Sequence, residues 1–300
     1  MILAQEISKS FGDIKALDSV TATIRKGSVF GLVGTNGAGK STFLRVLAGI
    51  LYPDGGSVTI EEEPVFENIP LKQRCFYISD EQYFFSNCTP TDMRDYYATV
   101  YPKFDKQRFD HLLANFELPA KRKINTFSKG MKKQISVISA LASMTDYIFC
   151  DETFDGLDPV IRQGVKSLFA ADIAERQMTP IIASHNLREL EDICDHVGLL
   201  HKGGILLSRD LDDMKLNIHK IQAVFEQALT IADFPNLEIV AFEQRGRLST
   251  ITVRGNIDLI TSTMQEMKPI FMEILPLTLE EIFISETEVK GYDIKKLLAD

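Results

Sequence analysis

The stretch VFGLVGTNGAGKSTFLRVLAGI, residues 29–50, decides the first part of the fold. An apolar run, typical of a strand covered on both faces, leads into a glycine-rich loop and then into a segment with helical spacing of apolar residues. Residues 34–41 match the phosphate-binding pattern G-x-x-x-x-G-K-[ST]. The glycines let backbone N–H groups converge on an anion, and the following helix directs its positive end to the same point. The alternative is a glycine-rich turn that binds nothing, and the strand and helix on either side favour the phosphate site.

A nucleoside triphosphate fits this loop, because Lys40 can reach the β- and γ-phosphates and the Ser41 hydroxyl can ligate Mg²⁺. The loop alone does not choose among GTPases, kinases and ATPases. The residues predicted to contact the nucleotide here are Gly34, Thr35, Asn36, Gly37, Ala38, Gly39, Lys40, Ser41 and Thr42.

A second candidate element is YIFCDE, residues 147–152, a buried strand that ends in two acids. Asp151 can hold Mg²⁺ through its water shell, and Glu152 can polarise the attacking water as a general base. A solvated acidic strand end is the alternative. The presence of a phosphate loop in the same chain favours the catalytic interpretation.

Composition limits the function classes. The chain has 300 residues, 45% of them hydrophobic, which is enough for a large core and for one or two domains. A net charge of -9 argues against nucleic acid as the main partner, because phosphate binding requires a basic face.

The four cysteines lack CxxC spacing, so we expect free buried thiols. We find no signal-peptide pattern and no apolar run of ~18 residues, so we expect a cytoplasmic chain without direct membrane insertion.

Strand and helix patterns alternate over residues 1–214, which predicts an α/β core. Residues 10–19, SFGDIKALDS, are expected to form a loop between two short strands, and residues 81–144 a helical insertion. A polar, turn-rich segment then separates a small α+β domain, residues 215–300.

Three further motifs carry a family resemblance. TFSKGMKKQ (126–134) resembles the signature motif of the ABC ATPase superfamily, DETFDGLDP (151–159) resembles its Walker B and D-loop run, and IIASHN (181–186) resembles its switch-histidine segment. They occur in the family's order, and the resemblance covers about residues 1–210. It implies a P-loop ABC ATPase core with an antiparallel β-subdomain and a helical subdomain, followed by the C-terminal α+β domain. The Lys-Gly-Met within the signature is most similar to ATPases of bacterial exporters of drugs, antimicrobial peptides or ions.

The resemblance also implies residue roles. Ser128, Lys129 and Gly130 open a helix whose N-terminus contacts the γ-phosphate bound by a second subunit, so the active unit is a head-to-tail dimer. Asp158 would lie at the dimer seam, and His185 would donate to the γ-phosphate. Lys40, Glu152 and His185 form the implied catalytic set, and ATP and Mg²⁺ are the implied cofactors.

Two positions leave alternatives open. Phe11 matches the family's adenine-stacking aromatic, with a core phenylalanine as the alternative. The family's Q-loop glutamine aligns best with Asp80, which would contact Mg²⁺ and nucleotide, but Gln82 is close by.

The aromatic run Tyr83, Phe84 and Phe85 has two interpretations of equal weight. These side chains line a groove for a short helix of a membrane subunit, or they belong to the core of the helical subdomain.

Together these features predict the ATP-binding and ATP-hydrolysing subunit of an ABC transporter, most similar to exporters, that powers a separate membrane permease. It would form a homodimer, or a heterodimer with a second ABC ATPase, and lie on the inner face of the cell membrane through the permease. The alternative is a soluble ABC ATPase that acts on ribosomes or DNA. The sequence does not reveal the transported substrate, and LPLTLEEIFISETE (275–288) only resembles the regulatory or dimer-stabilising tail of export ATPases.

Overall fold

The computed structural model of the chain describes residues 1–211, 218–227 and 229–288. Internal packing divides the chain into two units, Met1–Ser208 and Arg209–Asp300. The predicted domain boundary between residues 214 and 215 falls outside the described residues, so the domain limits stay a prediction.

The strands that begin before this division are β1 (Ile2–Phe11), β2 (Ile14–Ile24), β3 (Phe30–Val33), β4 (Gly55–Ile60), β5 (Glu63–Pro64), β6 (Cys75–Ile78), β7 (Tyr147–Asp151), β8 (Thr179–Ser184), β9 (His196–His201) and β10 (Gly204–Asp210). The helices are α1 (Lys40–Leu47), α2 (Ile69–Lys72), α3 (Pro90–Val100), α4 (Lys106–Asn115), α5 (Lys129–Ala142), α6 (Pro159–Arg176) and α7 (Leu187–Glu191).

A six-stranded sheet with the order β10-β9-β3-β8-β7-β6 forms the centre of this unit. Strands β9, β3, β8, β7 and β6 run parallel, so their carboxyl ends meet at one edge. The strands β3, β7 and β8 are completely buried, as their apolar sequences predict. This edge therefore collects the glycine-rich loop after β3, the acids at the end of β7 and the histidine after β8.

A second, antiparallel sheet has the order β2-β1-β4-β5. The expectation of a loop over residues 10–19 is wrong, because β1 and β2 continue as a hairpin down to a turn at Gly12 and Asp13. The backbone pairs Phe11 with Ile14 and Ser10 with Lys15. The hairpin extends this far because residues of β2 such as Leu17 are buried in the core.

The helices α3, α4 and α5 follow β6 and precede β7 in the chain. They pack against one another and form the predicted helical subdomain. Helix α3 starts at Pro90 because Thr89 and Asp92 form a capping box there. Asp172 of α6 is buried and pairs with Arg108 of α4 and with Arg176. This ion pair joins the helical subdomain to the parallel-sheet core.

The second unit is a small α+β fold, as predicted. Its described elements are β11 (Ile218–Val224), β12 (Glu238–Arg245), β13 (Leu248–Arg254), α8 (Ile257–Glu266), β14 (Phe271–Leu275) and α9 (Leu279–Glu288). The strands form an antiparallel sheet with the order β12-β13-β11-β14, and Ile260 and Met264 of α8 pack into its core. The predicted fold class is therefore confirmed. All four cysteines are free and buried, as expected.

Candidate functional site

The glycine-rich loop packs closely against neighbouring backbone. Gly39, which precedes α1, has a φ of 104° that a side chain would strain. A Cβ atom at Gly39 would clash with the carbonyl of Ala16, and one at Gly34 would clash with the carbonyl of Leu200. Glycine is required at both positions by this packing, and the loop backbone between them is left open to an anion.

Lys40 places its ammonium group inside this loop. The side chain is buried, and its Nζ donates to the carbonyl oxygens of Gly34 at 2.7 Å and Thr35 at 3.3 Å. The same Nζ lies 3.3 Å from Oε1 of Glu152. The structure thus brings the lysine of the loop into contact with Glu152, the residue that directly follows β7.

Ser41 and Asp151, the two residues expected to hold Mg²⁺, also meet. The Ser41 hydroxyl donates to Oδ1 of Asp151 at 2.8 Å, and Asp151 is 1% exposed. A buried carboxylate beside a hydroxyl at a phosphate loop is the kind of oxygen donor set that suits Mg²⁺, which is otherwise bound by waters and phosphates.

Tyr77 is a member of this cluster that sequence reasoning missed. Its hydroxyl donates to Oδ2 of Asp151 at 2.9 Å. Burial, and then the nearby charge of Asp151, raise the pKa of the Tyr77 hydroxyl, so it stays a donor. Residues 77 and 151 are remote in sequence, and the contact between them forms because β6 pairs with β7.

Glu152 and His185 form the third part of the site. Oε2 of Glu152 lies 2.9 Å from Nδ1 of His185 and accepts a bond from the His185 backbone N–H at 3.3 Å. Glu152 has a φ of 47°, which is uncommon for a residue with a side chain. The carboxylate therefore bridges His185 and Lys40, and the three residues of the predicted catalytic set lie together.

The signature segment lies at a separate cavity of about 460 Å³. The Ser128 hydroxyl caps α5 by accepting from the backbone N–H of Met131 at 3.2 Å. The residues lining the cavity are Asp80, Glu81, Gln82, Lys129, Gly130, Lys132, Lys133, Asp155 and Gly156. The structure thus places Lys129, Gly130 and Asp80 around one opening.

Neither candidate for the Q-loop contact bonds to Ser41 or Asp151 among the described residues. Oδ1 of Asp80 lies 3.4 Å from Nζ of Lys133. The Gln82 amide donates to the Ser79 carbonyl and accepts from the Ser136 hydroxyl. Both the nitrogen and the oxygen of the Gln82 amide are thus hydrogen-bonded, whereas the Asp80 side chain is mostly exposed. Asp80 as the Q-loop contact, rather than Gln82, stays a prediction.

Phe11 and Asp158 lie outside these clusters. Phe11 is 50% exposed near the tip of the β1–β2 hairpin, with Lys9 over its ring, so it is not a core residue. Asp158 caps α6 by accepting from the backbone N–H groups of Val160 and Ile161. Adenine stacking by Phe11 and a seam role for Asp158 stay predictions.

The aromatic residues after β6 divide between surface and interior. Tyr83, Phe85 and Tyr96 are exposed and contact one another, with ring centroids 6.5 Å apart for the first pair and 4.8 Å for the second. We call these three residues the aromatic patch. Further inward, Tyr97 packs on Phe76. The core interpretation therefore fails for Tyr83 and Phe85.

Comparison with known proteins gives consistent matches. The ABC transporter family model matches residues 17–155. The chain is 32% identical over 286 residues to the ABC transporter ATP-binding protein YtrB of Bacillus subtilis (strain 168), which covers 95% of this chain and 98% of that protein. It is 28% identical over 286 residues to the bacitracin transport ATP-binding protein BcrA of Bacillus licheniformis, with coverage of 89% and 94%.

Among solved structures, a dimeric ATP-binding cassette in a post-hydrolysis state bound to ADP and Pi has the same fold. Its TM-score is 0.64 at 20% sequence identity, over 70% of this chain and 99% of that one.

These matches confirm the predicted family and the predicted ATPase activity. They favour a transport-associated ATPase over the soluble ribosome- or DNA-associated alternative. The chain belongs to the ATP-binding subunits of ABC transporters.

Proposed function

We propose that this chain hydrolyses Mg-ATP to drive an exporter of a drug, an antimicrobial peptide or an ion through a separate membrane permease. The observation that carries the proposal is the meeting of Lys40, the Ser41–Asp151 pair and the Glu152–His185 pair at the carboxyl ends of β3, β7 and β8. The bacitracin transport protein among the relatives supports a role in the transport of an antimicrobial compound. The permease selects the transported substrate.

Each residue then has a chemical task. The loop amides and Lys40 bind the β- and γ-phosphates. Ser41 and Asp151 would hold Mg²⁺, which when bound would neutralise phosphate charge. Glu152 takes the proton of the attacking water. The His185 backbone N–H holds that carboxylate, and the His185 imidazole donates to the γ-phosphate.

Tyr77→Phe should weaken the use of Mg²⁺. Asp151 would lose one of its two hydrogen bonds, and a bond to a charged group contributes about 1.5–3 kcal/mol. We expect the Mg²⁺ concentration for half-maximal ATP hydrolysis to rise by roughly tenfold at saturating ATP. Tyr52→Phe removes the hydroxyl of an exposed tyrosine and is the matched control. A Mg²⁺ midpoint equal to that of the control would show that Tyr77 does not support Asp151.

The proposed active unit is a head-to-tail dimer of two copies, or of this chain with a second ABC ATPase. Ser128, Lys129 and Gly130 of one subunit face the γ-phosphate on the other, because the N-terminus of α5 supplies backbone N–H groups and a positive dipole end. Asp158 lies at the seam of the two subunits.

The proposed membrane partner docks on the aromatic patch. Within the described residues, every helix is too short or too polar to span a bilayer. Work on a membrane therefore requires a partner, and Tyr83, at 82% exposure, offers an apolar surface for a short helix of that partner. The chain would then lie at the inner face of the cell membrane.

A co-purification experiment tests this partnership. A candidate membrane permease is co-expressed with this chain, and once recovery of the wild-type complex is shown, Tyr83→Asp combined with Phe85→Asp should abolish it. A charge in the centre of an apolar contact is desolvated without a partner. Leu259→Asp, at an exposed apolar position in the second unit, is the control and should leave recovery unchanged. Equal recovery with all variants would contradict docking at the aromatic patch.

A further inference from the structure

Lys133, in the second turn of α5, makes contacts that the site described above leaves unexplained. The side chain is 7% exposed. Its Nζ donates to the carbonyl oxygen of Glu152 at 2.6 Å and to that of Asp155 at 2.9 Å, and it lies 3.4 Å from Oδ1 of Asp80. An ammonium group has three donors, so these acceptors use all of them. Every acceptor belongs to a segment other than α5.

The two carbonyl bonds hold the short segment between β7 and α6. Glu152 begins this segment with a φ of 47°, a backbone conformation that a residue with a side chain rarely adopts. Its own N–H donates to the carbonyl of Ala183 at 3.0 Å. Lys133 thus fixes the backbone carbonyl of Glu152, while β8 fixes the backbone N–H of the same residue. The direction of the Glu152 side chain toward Lys40 and His185 depends on this backbone.

The charge of Lys133 is not explained by ordinary packing. A buried cation costs free energy unless it is paired, and the Asp80 carboxylate at 3.4 Å is mostly exposed, so the two carbonyl oxygens are the buried partners of Lys133. Lys166 of α6 is equally buried and also pairs with an exposed carboxylate, that of Asp192 at 3.1 Å, but among the described residues its Nζ makes no hydrogen bond to the backbone of residues 152–155. Lys133 is therefore directed at the backbone of the catalytic segment.

We propose that Lys133 is a positioning residue for Glu152, and that its bonds to the Glu152 and Asp155 carbonyls join the signature helix to the general base. The inference rests on the proposed role of Glu152. Lys133 links the helix that begins at Ser128 to residues 152–155, whose backbone orients the base. The Asp80 carboxylate is linked to the same residues through the Lys133 ammonium group. Closure of a second subunit on the signature segment would then act directly on the geometry of Glu152.

Lys133→Met tests this role, because methionine keeps the apolar stem and removes all three donors. Misplacement of a catalytic group by about 1 Å costs roughly 10²-fold in rate. We expect kcat for ATP hydrolysis to fall by roughly 10- to 100-fold, with the KM for ATP and the affinity for a fluorescent nucleotide within about twofold of wild type. Lys133→Arg, which keeps charge and donors, should recover part of the lost kcat.

Lys166→Met is the matched control, since it removes an equally buried ammonium from a neighbouring helix. It should lower the melting temperature about as much as Lys133→Met but leave kcat near wild type. Equal losses of kcat in the two variants, or an unchanged kcat for Lys133→Met, would overturn the proposal. If Lys133→Met does not fold, the same comparison is made with Lys133→Gln, and a wild-type kcat in that variant overturns it too.

A double variant separates this inference from the proposed function. If Lys133 acts through Glu152, then Lys133→Met should cause no further loss of turnover in a Glu152→Gln chain. A further loss as large as in the wild-type background would refute action through Glu152. If Glu152→Gln alone hydrolyses ATP at the wild-type rate, the general-base role fails and the inference fails with it. If Glu152→Gln is inactive and Lys133→Met is fully active, the inference alone fails.

Discussion

Glu152→Gln is expected to bind ATP and to hydrolyse it ~10²–10⁴-fold more slowly than the wild-type chain. The glutamine amide fills the same space as the carboxylate but cannot accept a proton from the attacking water. The phosphate loop and Lys40 are unchanged, so nucleotide affinity should persist. Single-turnover hydrolysis with excess enzyme measures the rate, and titration with a fluorescent ATP analogue measures the affinity.

The control for this experiment is Glu175→Gln, which removes the same charge from an exposed position on α6. It should hydrolyse ATP at the wild-type rate. Turnover of Glu152→Gln within a few-fold of Glu175→Gln would remove Glu152 from the role of general base. The contact between Glu152 and His185 would then be structural.

The second large effect is complementation between two inactive variants. Lys40→Ala removes the cation that faces the phosphates, and Ser128→Arg places a bulky side chain at the N-terminus of α5. Each variant alone should lose most hydrolysis. A mixture of the two should regain activity, because the heterodimer has one site with an intact loop from one chain and an intact signature from the other.

In the proposed dimer ATP would form part of the interface and shift the equilibrium toward the dimer, so we expect the recovery in the mixture to approach roughly one working site per heterodimer. Light scattering in the Glu152→Gln background follows dimerisation separately, and Ser128→Arg should prevent it there. If heterodimers are shown to assemble and the mixture stays inactive at every ratio, the two motifs do not share a nucleotide.

The sequence predicted those parts of the site that are local in the chain. The loop at residues 34–41, the strand that ends at Asp151 and the helix that follows Asp158 are each specified by neighbouring residues, through glycine packing, apolar runs and a helix cap. The parallel order of the sheet then brings these ends together, which explains why Ser41, Asp151, Glu152 and His185 meet.

The contacts that were missed depend on pairing between remote segments. Tyr77 contacts Asp151 because β6 lies beside β7. Lys133 contacts Glu152 because the fold brings α5 to the carboxyl end of β7. A tyrosine in an apolar strand and a lysine in a helix carry no local signal of either contact. The hairpin at residues 10–19 was missed for the same reason, since burial of Leu17 and pairing with β1 override its turn-like composition.

The short distance between Glu152 Oε1 and Lys40 Nζ has a consequence for anion selectivity. An anion that enters the loop must compete for Lys40 with a carboxylate 3.3 Å from the ammonium group. A monovalent anion such as chloride or acetate offers the lysine no more charge than this internal counter-ion already provides. A triphosphate carries several charges and also fills the backbone N–H groups of the loop, so it can displace the carboxylate. We therefore expect the contact to disfavour simple anions relative to polyanions at this loop.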